Sequence, residues 1–316
     1  MSVALVTGAA GQDGSYLVER LLAEGHEVHG LVRREDLDGP LPEGVVVHEV
    51  DLDTEPADLA ALVDRVGPDE LYNLGGISSV ARSWEDPVLT TRVNGRAALT
   101  LMDAARRLQE RRGREVRVLQ PSSAEMFGEP SRSPQDEDTA IRPVSPYGAA
   151  KAFAHHVAGV ERSRGLFTAT VILYNHESPR RPATFVTRKI TSTVAAIAAG
   201  RADRLTLGNL EARRDWGRAP DYVDAMVRAV RHDEPGDYVI ATGRAHSVRD
   251  FVAAAFEHAG VPEWEHLVEV DPSLIRPADP TLLVGDPTRA REVLGWRPSV
   301  RFEELVGHLV DAEEAS

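Results

Sequence analysis

Val3–Leu17 reads V-A-L-V-T-G-A-A-G-Q-D-G-S-Y-L: a short apolar run, a glycine-rich turn and the start of a helical pattern. Gly8, Gly11 and Gly14 punctuate the turn. Between a strand and a helix, glycines permit a tight reversal, close approach of a pyrophosphate and close helix–sheet packing. The helix N-terminus adds N–H donors and a partial positive charge. Gln12 and Asp13 lie in the same segment, so all five residues are candidates for contact with a dinucleotide. A glycine triplet alone is weak evidence, and the strand–turn–helix setting gives it weight.

Outward from that turn, short apolar runs alternate with helical patterns. Val3–Val6, Glu27–Val32, Val45–Val50, Leu71–Leu74, Val116–Leu119 and Thr168–Leu173 read as strands. Gly14–Ala23, Ala57–Val66, Gly95–Gln109 and Tyr147 to about Ser163 read as helices. The alternation predicts right-handed crossovers and a parallel sheet. After Leu173 the pattern loosens around Pro179, Arg180, Arg181 and Pro182, with a helix at about Phe185–Ala199 and mixed short elements beyond. The expected architecture is α/β, a Rossmann-type doubly wound parallel sheet with a smaller C-terminal α/β substrate lobe. Residues 1–170 plus about 211–242 are expected to form the dinucleotide-binding domain, and 171–210 with 243–316 the lobe.

The 316 residues suffice for a substantial core, with 42% hydrophobic and 27% charged residues. A formal net charge of −14 argues against a general nucleic-acid or anionic-membrane binder. It leaves room for an anionic small ligand held by local arginines and lysines. There is no cysteine, which excludes disulfides, thiolate catalysis and thiolate-based metal sites, and no metal site is expected. The opening M-S-V-A-L-V-T-G has no secretory pattern, and no apolar run reaches membrane-span length. A cytoplasmic location is expected.

Two further segments carry proton chemistry. P-S-S-A-E-M-F-G holds Ser123 and Glu125, and S-P-Y-G-A-A-K holds Tyr147 and Lys151. A Tyr and a Lys four apart on a helix share one face. A lysine ammonium beside a phenol favours the phenolate, which predicts a lowered Tyr147 pKa and an acid–base group that works near neutrality. Glu125 adds a second proton-transfer group that simple alcohol oxidation does not need.

The glycine spacing G-x-x-G-x-x-G resembles that of the extended short-chain dehydrogenase/reductase superfamily. The second strand ends in V-R-R-E-D, where Arg33 and Arg34 suit a 2′-phosphate clamp. NADP is therefore expected in preference to NAD, although Glu35 or Asp36 is placed to reach a ribose diol. With that resemblance, Asp51 and Leu52 are expected at the adenine, and Leu74, Gly75 and Ser78 along the path to the nicotinamide.

Within the superfamily the chain resembles the GDP-mannose 4,6-dehydratase family from end to end. The resemblance rests on T-G-A-A-G-Q-D-G-S-Y-L, Y-N-L-G, S-P-Y-G-A-A-K, Y-N-H-E-S-P-R-R, F-V-T-R-K-I, L-G-N-L-E-A-R-R-D-W-G and D-Y-V-D-A-M. It implies a lyase of deoxysugar biosynthesis that converts GDP-mannose to GDP-4-keto-6-deoxymannose by internal hydride transfer through bound NADP. Ser123 stands where the family has its catalytic threonine, followed by Glu125, Tyr147 and Lys151 in the matching catalytic positions. His176 and Arg181 fall on cofactor contacts, with Tyr147 and Lys151 also on the cofactor ribose side. Asn175 falls on the sugar side, and Lys189, Arg214 and Arg276 on basic positions suited to the nucleotide diphosphate. The rival expectation on the same residues is an NADPH-dependent reductase or a 4-epimerase of a related nucleotide sugar.

The chain departs from the family pattern in four places. R-E-D-L-D-G-P-L-P replaces a longer loop that helps assemble the family's tetramer, so a homodimer is expected. S-S-A-E-M-F-G replaces S-T-S-E-L-Y-G, and G-I-S-S-V replaces A-Q-S-H-V. Asp279 stands where the family has an acidic residue one carbon longer.

Overall fold

The opening apolar run forms strand β1 (Val3–Thr7), and the glycine turn delivers the chain into helix α1 (Gln12–Ala23). This is a computed structural model describing residues 2–36, 41–275 and 282–315; Arg276 and Asp279 lie outside the described residues. The same unit recurs with β2 (Glu27–Val32), β3 (Val45–Glu49), α2 (Pro56–Val66) and β4 (Glu70–Asn73). Next come α3 (Val80–Glu85), α4 (Pro87–Thr91), a π segment at Arg92–Arg96 and α5 (Ala97–Arg112). Strands β5 (Arg117–Ser123) and β6 (Phe167–Leu173) flank α6 (Pro146–Ser163).

The remaining elements interleave sheet and lobe. They are β7 (Asn175–Glu177), α7 (Val186–Ala198), β8 (Leu205–Leu207), β9 (Arg213–Arg214), β10 (Trp216–Arg218), α8 (Ala219–Arg231) and β11 (Asp237–Ile240). They continue with β12 (His246–Ser247), α9 (Val248–His258), β13 (Val268–Val270), β14 (Leu282–Leu283), α10 (Thr288–Val293) and α11 (Phe302–Glu314).

Seven strands pair in the order β11-β6-β5-β4-β1-β2-β3, all parallel. The order reverses between β1 and β4, where α/β sheets open a crevice at the strands' C-terminal ends. Alternation along β1 explains the two-faced core. Ala4 and Val6 pack with Leu17, Val18 and Leu21 of α1 and the apolar side of α8. Leu5 faces the other way, into Leu59, Leu62, Leu101 and Leu108 of α2 and α5. Each helix layer thus turns an apolar stripe onto its face of the sheet, as a doubly wound sheet requires.

The lobe is built from short pieces around its own core of Ile190, Val194, Trp216, Phe251, Phe256 and Leu305. Its strands form a pair β10-β7, a triplet β12-β9-β14 and a pair β13-β8. β7 follows β6 after a single residue, so the lobe begins at the C-terminal edge of the large sheet. Among the described residues no helix is long and apolar enough to cross a membrane.

Candidate active site

The glycine turn works by close approach. Gly8 has a positive φ of 65°. A side chain on it would press against Gly75 at 2.8 Å, and one on Gly14 would collide with the Gly8 carbonyl. Gly11 is exposed, and as the N-cap of α1 it supplies no side-chain cap. The cradle thus keeps helix N–H groups available to a bound pyrophosphate, and these residues fit a dinucleotide.

Gln12 and Asp13 turn toward the lobe. The Gln12 amide donates to the His176 carbonyl at 3.1 Å, and its oxygen accepts from Ser178 at 3.0 Å. Asp13 lies 2.8 Å from His176 Nε2, while His176 Nδ1 meets the Tyr174 carbonyl at 2.8 Å. Burial opposes charge on both partners, but each stabilises the other's ion: the Asp13 carboxyl is held below its usual range and His176 above.

Arg33 and Arg34 lie just beyond β2. Arg33 binds Asp36 at 2.8 Å and Glu35 at 2.5 Å, whereas Arg34 is exposed and 3.8 Å from Glu49. Asp51, past the end of β3, accepts from the Asp53 amide at 2.9 Å. Leu52 is buried beneath Gly75.

A cleft of about 360 Å³ opens at the C-terminal ends of the strands. Its wall includes Asp13, Leu74, Gly75, Ser78, Ser123, Glu125, Tyr147, Lys151, Asn175, His176, Arg181 and Arg214. The other expected residues do not line it. Gly8, Gly11, Gln12 and Gly14 belong to the turn, and Arg33, Arg34, Asp51 and Leu52 follow β2 and β3. Lys189 lies on α7, where its charge reaches Asp271.

Local structure explains how the four proton-handling residues converge. Ser123 ends β5 and accepts from the Glu125 amide at 3.3 Å, which fixes the short 3-10 turn Ala124–Met126. Ser145 caps α6 by accepting from Gly148 N at 3.0 Å, with Pro146 in the first turn. A side chain on Gly148 would collide with the Glu125 carbonyl. That glycine therefore sets how closely the helix bearing Tyr147 meets the turn bearing Glu125.

The expectation of a depressed Tyr147 is corrected by its surroundings. Burial pushes the phenol up to about 12; the Ser123 hydrogen bond and Arg181 charge oppose this, while Glu125 and Asp13 reinforce it. Burial also pushes Lys151 down to about 8, against the charge of Asp13. The protein alone thus holds Tyr147 as a neutral phenol, with a Lys151 ammonium that burial weakens. Spacing along the helix reveals the shared face but not the desolvation.

Several residues that shape the cleft carry no signal in the sequence pattern. Asn94, in the π segment, pairs with both backbone groups of Ile77, accepting from its amide at 2.8 Å and donating to its carbonyl at 2.9 Å. π segments of this kind concentrate at functional sites. Thr7, Asn73 and Gln120 form a buried chain across three neighbouring strands at 2.9 and 2.8 Å, and Thr7 also accepts from the Gly75 amide at 2.8 Å. Glu177, 2% exposed, lies 3.2 Å from Arg181, whose guanidinium sits 3.8 Å above the Phe185 ring. The N-H-E-S-P-R-R motif contains this carboxylate–arginine pair at helical-like spacing, but nothing local marks Phe185 as its third member.

Comparison with known proteins adds the family. The model of the family described as GDP-mannose 4,6 dehydratase matches residues 5–309. GDP-mannose 4,6 dehydratase 2 of Arabidopsis thaliana is 43% identical, over 98% of this chain and 86% of the relative. The GDP-mannose 4,6 dehydratase of Homo sapiens is 41% identical, over 99% and 91%. Among solved structures, the UDP-glucose 4-epimerase of Thermus thermophilus in complex with NAD superposes with a TM-score of 0.84 at 31% identity, covering 99% of both chains.

Proposed function

The chain belongs to the GDP-mannose 4,6-dehydratase family, and on that premise we propose that it converts GDP-mannose to GDP-4-keto-6-deoxymannose, with NADP in preference to NAD. It is a nucleotide-sugar dehydratase of the Rossmann-type fold, and the nicotinamide dinucleotide fits the glycine cradle described above. The observation that carries the reaction is the convergence of Ser123, Glu125, Tyr147 and Lys151 on one cleft, with the Glu125 charge acting on Tyr147.

Bound NADP⁺ supplies reversible hydride acceptance and a positive charge near the phenol. Ser123 orients the sugar 4-oxygen, and Tyr147 takes the 4-hydroxyl proton as C4 is oxidised to the ketone. Lys151 stabilises the phenolate and holds the nicotinamide ribose. The ketone acidifies C5–H, whose proton Glu125 removes. Glu125 then protonates the C6 hydroxyl, which leaves as water; C6 would take back the hydride removed from C4, and C5 the proton that Tyr147 accepted, which restores the phenolate. The cofactor ends as it began.

Asn175 serves the sugar, and Arg214, Lys189 and Arg276 serve the diphosphate. His176 and Arg181 hold the cofactor on the lobe side, while Asp51 and Leu52 receive the adenine. Residues 1–170 with about 211–242 form the NADP domain, and 171–210 with 243–316 the nucleotide-sugar lobe. The protein works as a homodimer through the exposed apolar side chains Leu99 of α5 and Phe153 and Val160 of α6, helices that pack together.

The test is incubation of purified protein with GDP-mannose and no added NADPH. A product lighter by one water is expected. A requirement for stoichiometric NADPH would replace this reading with a reductase, and an isomer of unchanged mass with an epimerase. For the cofactor, Arg33→Ala should weaken NADP about tenfold more than NAD, since only the 2′-phosphate engages the guanidinium that Asp36 and Glu35 now hold. Equal weakening removes the clamp.

A further inference from the structure

β3 is an edge strand of the large sheet, so the turn that follows it, Asp51–Thr54, has no further strand on its outer side to hold it. Its own bonds are local. The Asp53 amide donates to the Asp51 carboxylate at 2.9 Å, and the Thr54 amide to the Asp51 carbonyl at 3.1 Å. The π segment fastens this turn from outside. The Arg92 guanidinium takes the Asp53 carboxylate with two nitrogens, Nε at 2.7 Å from Oδ1 and Nη2 at 2.9 Å from Oδ2. Arg96 Nη2 donates to the Asp53 carbonyl at 3.0 Å and the Thr54 carbonyl at 3.1 Å, and lies 3.3 Å from Asp53 Oδ1. A single exposed arginine–aspartate pair is worth little. Here two arginines converge on one carboxylate, and one of them also engages two backbone carbonyls of the turn.

The same five residues also hold the opposite end of the cofactor path. Between the two arginines, Asn94 bonds both backbone groups of Ile77, and its Oδ1 would lie 2.8 Å from a Cβ placed on Gly76. Leu52 closes the third side: its Cδ1 would lie 2.6 Å from a Cβ on Gly75. The turn after β3, the chain leaving β4 and the π segment therefore brace one another in a triangle.

We infer that Arg96, with Arg92 beside it, is the positioning residue for the adenine end of the dinucleotide site, as Asn94 is for the wall that leads to the nicotinamide. The inference rests on the placement of the adenine at Asp51 and Leu52 and goes beyond it, since neither arginine is among the residues assigned to the cofactor. A turn already held in its bound shape loses less freedom when the ligand arrives. Loss of the grip should therefore appear as weaker binding of the adenine half alone.

The test measures the two halves of the cofactor separately, by calorimetry on the whole chain. In Arg96→Ala the dissociation constant of adenosine diphosphate should rise about tenfold, while that of nicotinamide mononucleotide stays fixed. Arg92→Ala should give the same split at smaller size, and Asn94→Ala the reverse split. Uncharged adenosine should weaken by the same factor as the diphosphate. Hydrogen exchange at Asp53 and Thr54 should quicken in Arg96→Ala and slow in the wild type when adenosine diphosphate binds. Unchanged affinity for adenosine diphosphate in Arg96→Ala overturns the inference, as does equal weakening of both halves. Weakening of the diphosphate but not of adenosine also overturns it, because Arg96 would then be only a charge near the phosphates. Protection by adenosine diphosphate at a segment other than Asp51–Thr54 would displace the adenine itself, and the inference with it. Protection there with unchanged affinity in Arg96→Ala leaves the adenine in place and removes the inference alone.

Discussion

The two ends of the large sheet each hold a tyrosine beside charged groups, one fully buried and one half-buried, and only one is equipped to react. At the N-terminal end Tyr72 is fully buried and donates to Glu70 at 2.7 Å. Glu70 is held in turn by Arg231 at 3.1 Å, and Arg231 reaches Glu24 at 2.6 Å. Burial and the Glu70 charge drive the Tyr72 phenol far up, and its side chain is enclosed on all sides. At the C-terminal end Tyr147 is pushed up too, but its partner is the neutral Ser123 hydroxyl, its wall is open to ligand, and Lys151 lies one turn away. Burial makes both phenols poor acids. What separates them is the neighbour: a fixed carboxylate locks the proton in place, whereas a hydroxyl and an ammonium leave it transferable.

The sharpest way to break this contrast is to remove each hydroxyl in turn. Tyr147→Phe should cost about 10²–10⁴-fold in kcat with little change in stability. Tyr72→Phe should do the reverse, leaving kcat intact and lowering the denaturation free energy by about 2 kcal/mol through loss of a charged-acceptor hydrogen bond. Comparable loss of kcat in both variants would erase the distinction between the two ends. Next in size, Glu125→Gln should lower formation of the 6-deoxy ketone about 10²-fold and abolish solvent deuterium entry at C5. Retained exchange at C5 would take Glu125 out of its role.

The smallest effect concerns pH. His176 is raised in the folded protein, so its contribution is complete below the unfolded value of about 6.5 and is lost as pH rises through the folded one. Asp13 is lowered, so its contribution holds above about 4 and is lost as pH falls through its folded value. Melting temperature should therefore decline as pH rises past neutrality in the wild type, and His176→Gln should flatten that decline. Parallel curves for the two proteins would mean that the pair adds nothing to the pH dependence of folding.

Features written in consecutive residues are legible in the sequence itself. The glycine turn, the strand–helix alternation and the Tyr147–Lys151 face depend on neighbours a few positions apart, and each has a local signature. The boundaries differ only slightly: the strand expected at Val116–Leu119 runs on to Ser123, which is how the serine comes to sit at the strand's tip. Other features depend on partners brought together from distant parts of the chain. The Asp13–His176 pair spans 163 positions, and the Ile77–Asn94 contact becomes visible only once the π segment is seen. Desolvation of Tyr147 is likewise a property of the assembled cleft, which is why helical spacing alone points its pKa in the wrong direction. Lys189, a basic residue in a quoted motif, lies on α7 outside the cleft wall, where its charge reaches Asp271, a neighbour 82 positions away that no local pattern points to.

The π segment at Arg92–Arg96 also makes the length of the chain matter, not only its composition. An α-helix turns about 100° per residue, so a widened turn amounts to one residue inserted into an otherwise regular rod. Deleting any single residue there would let the rod close into ordinary α-helix and swing Asn94 away from Ile77, unfastening the cleft wall at Gly76–Ser79. A substitution scan would register the loss of the Asn94 side chain but not the widened turn that aims it, because that information lies in the count of residues.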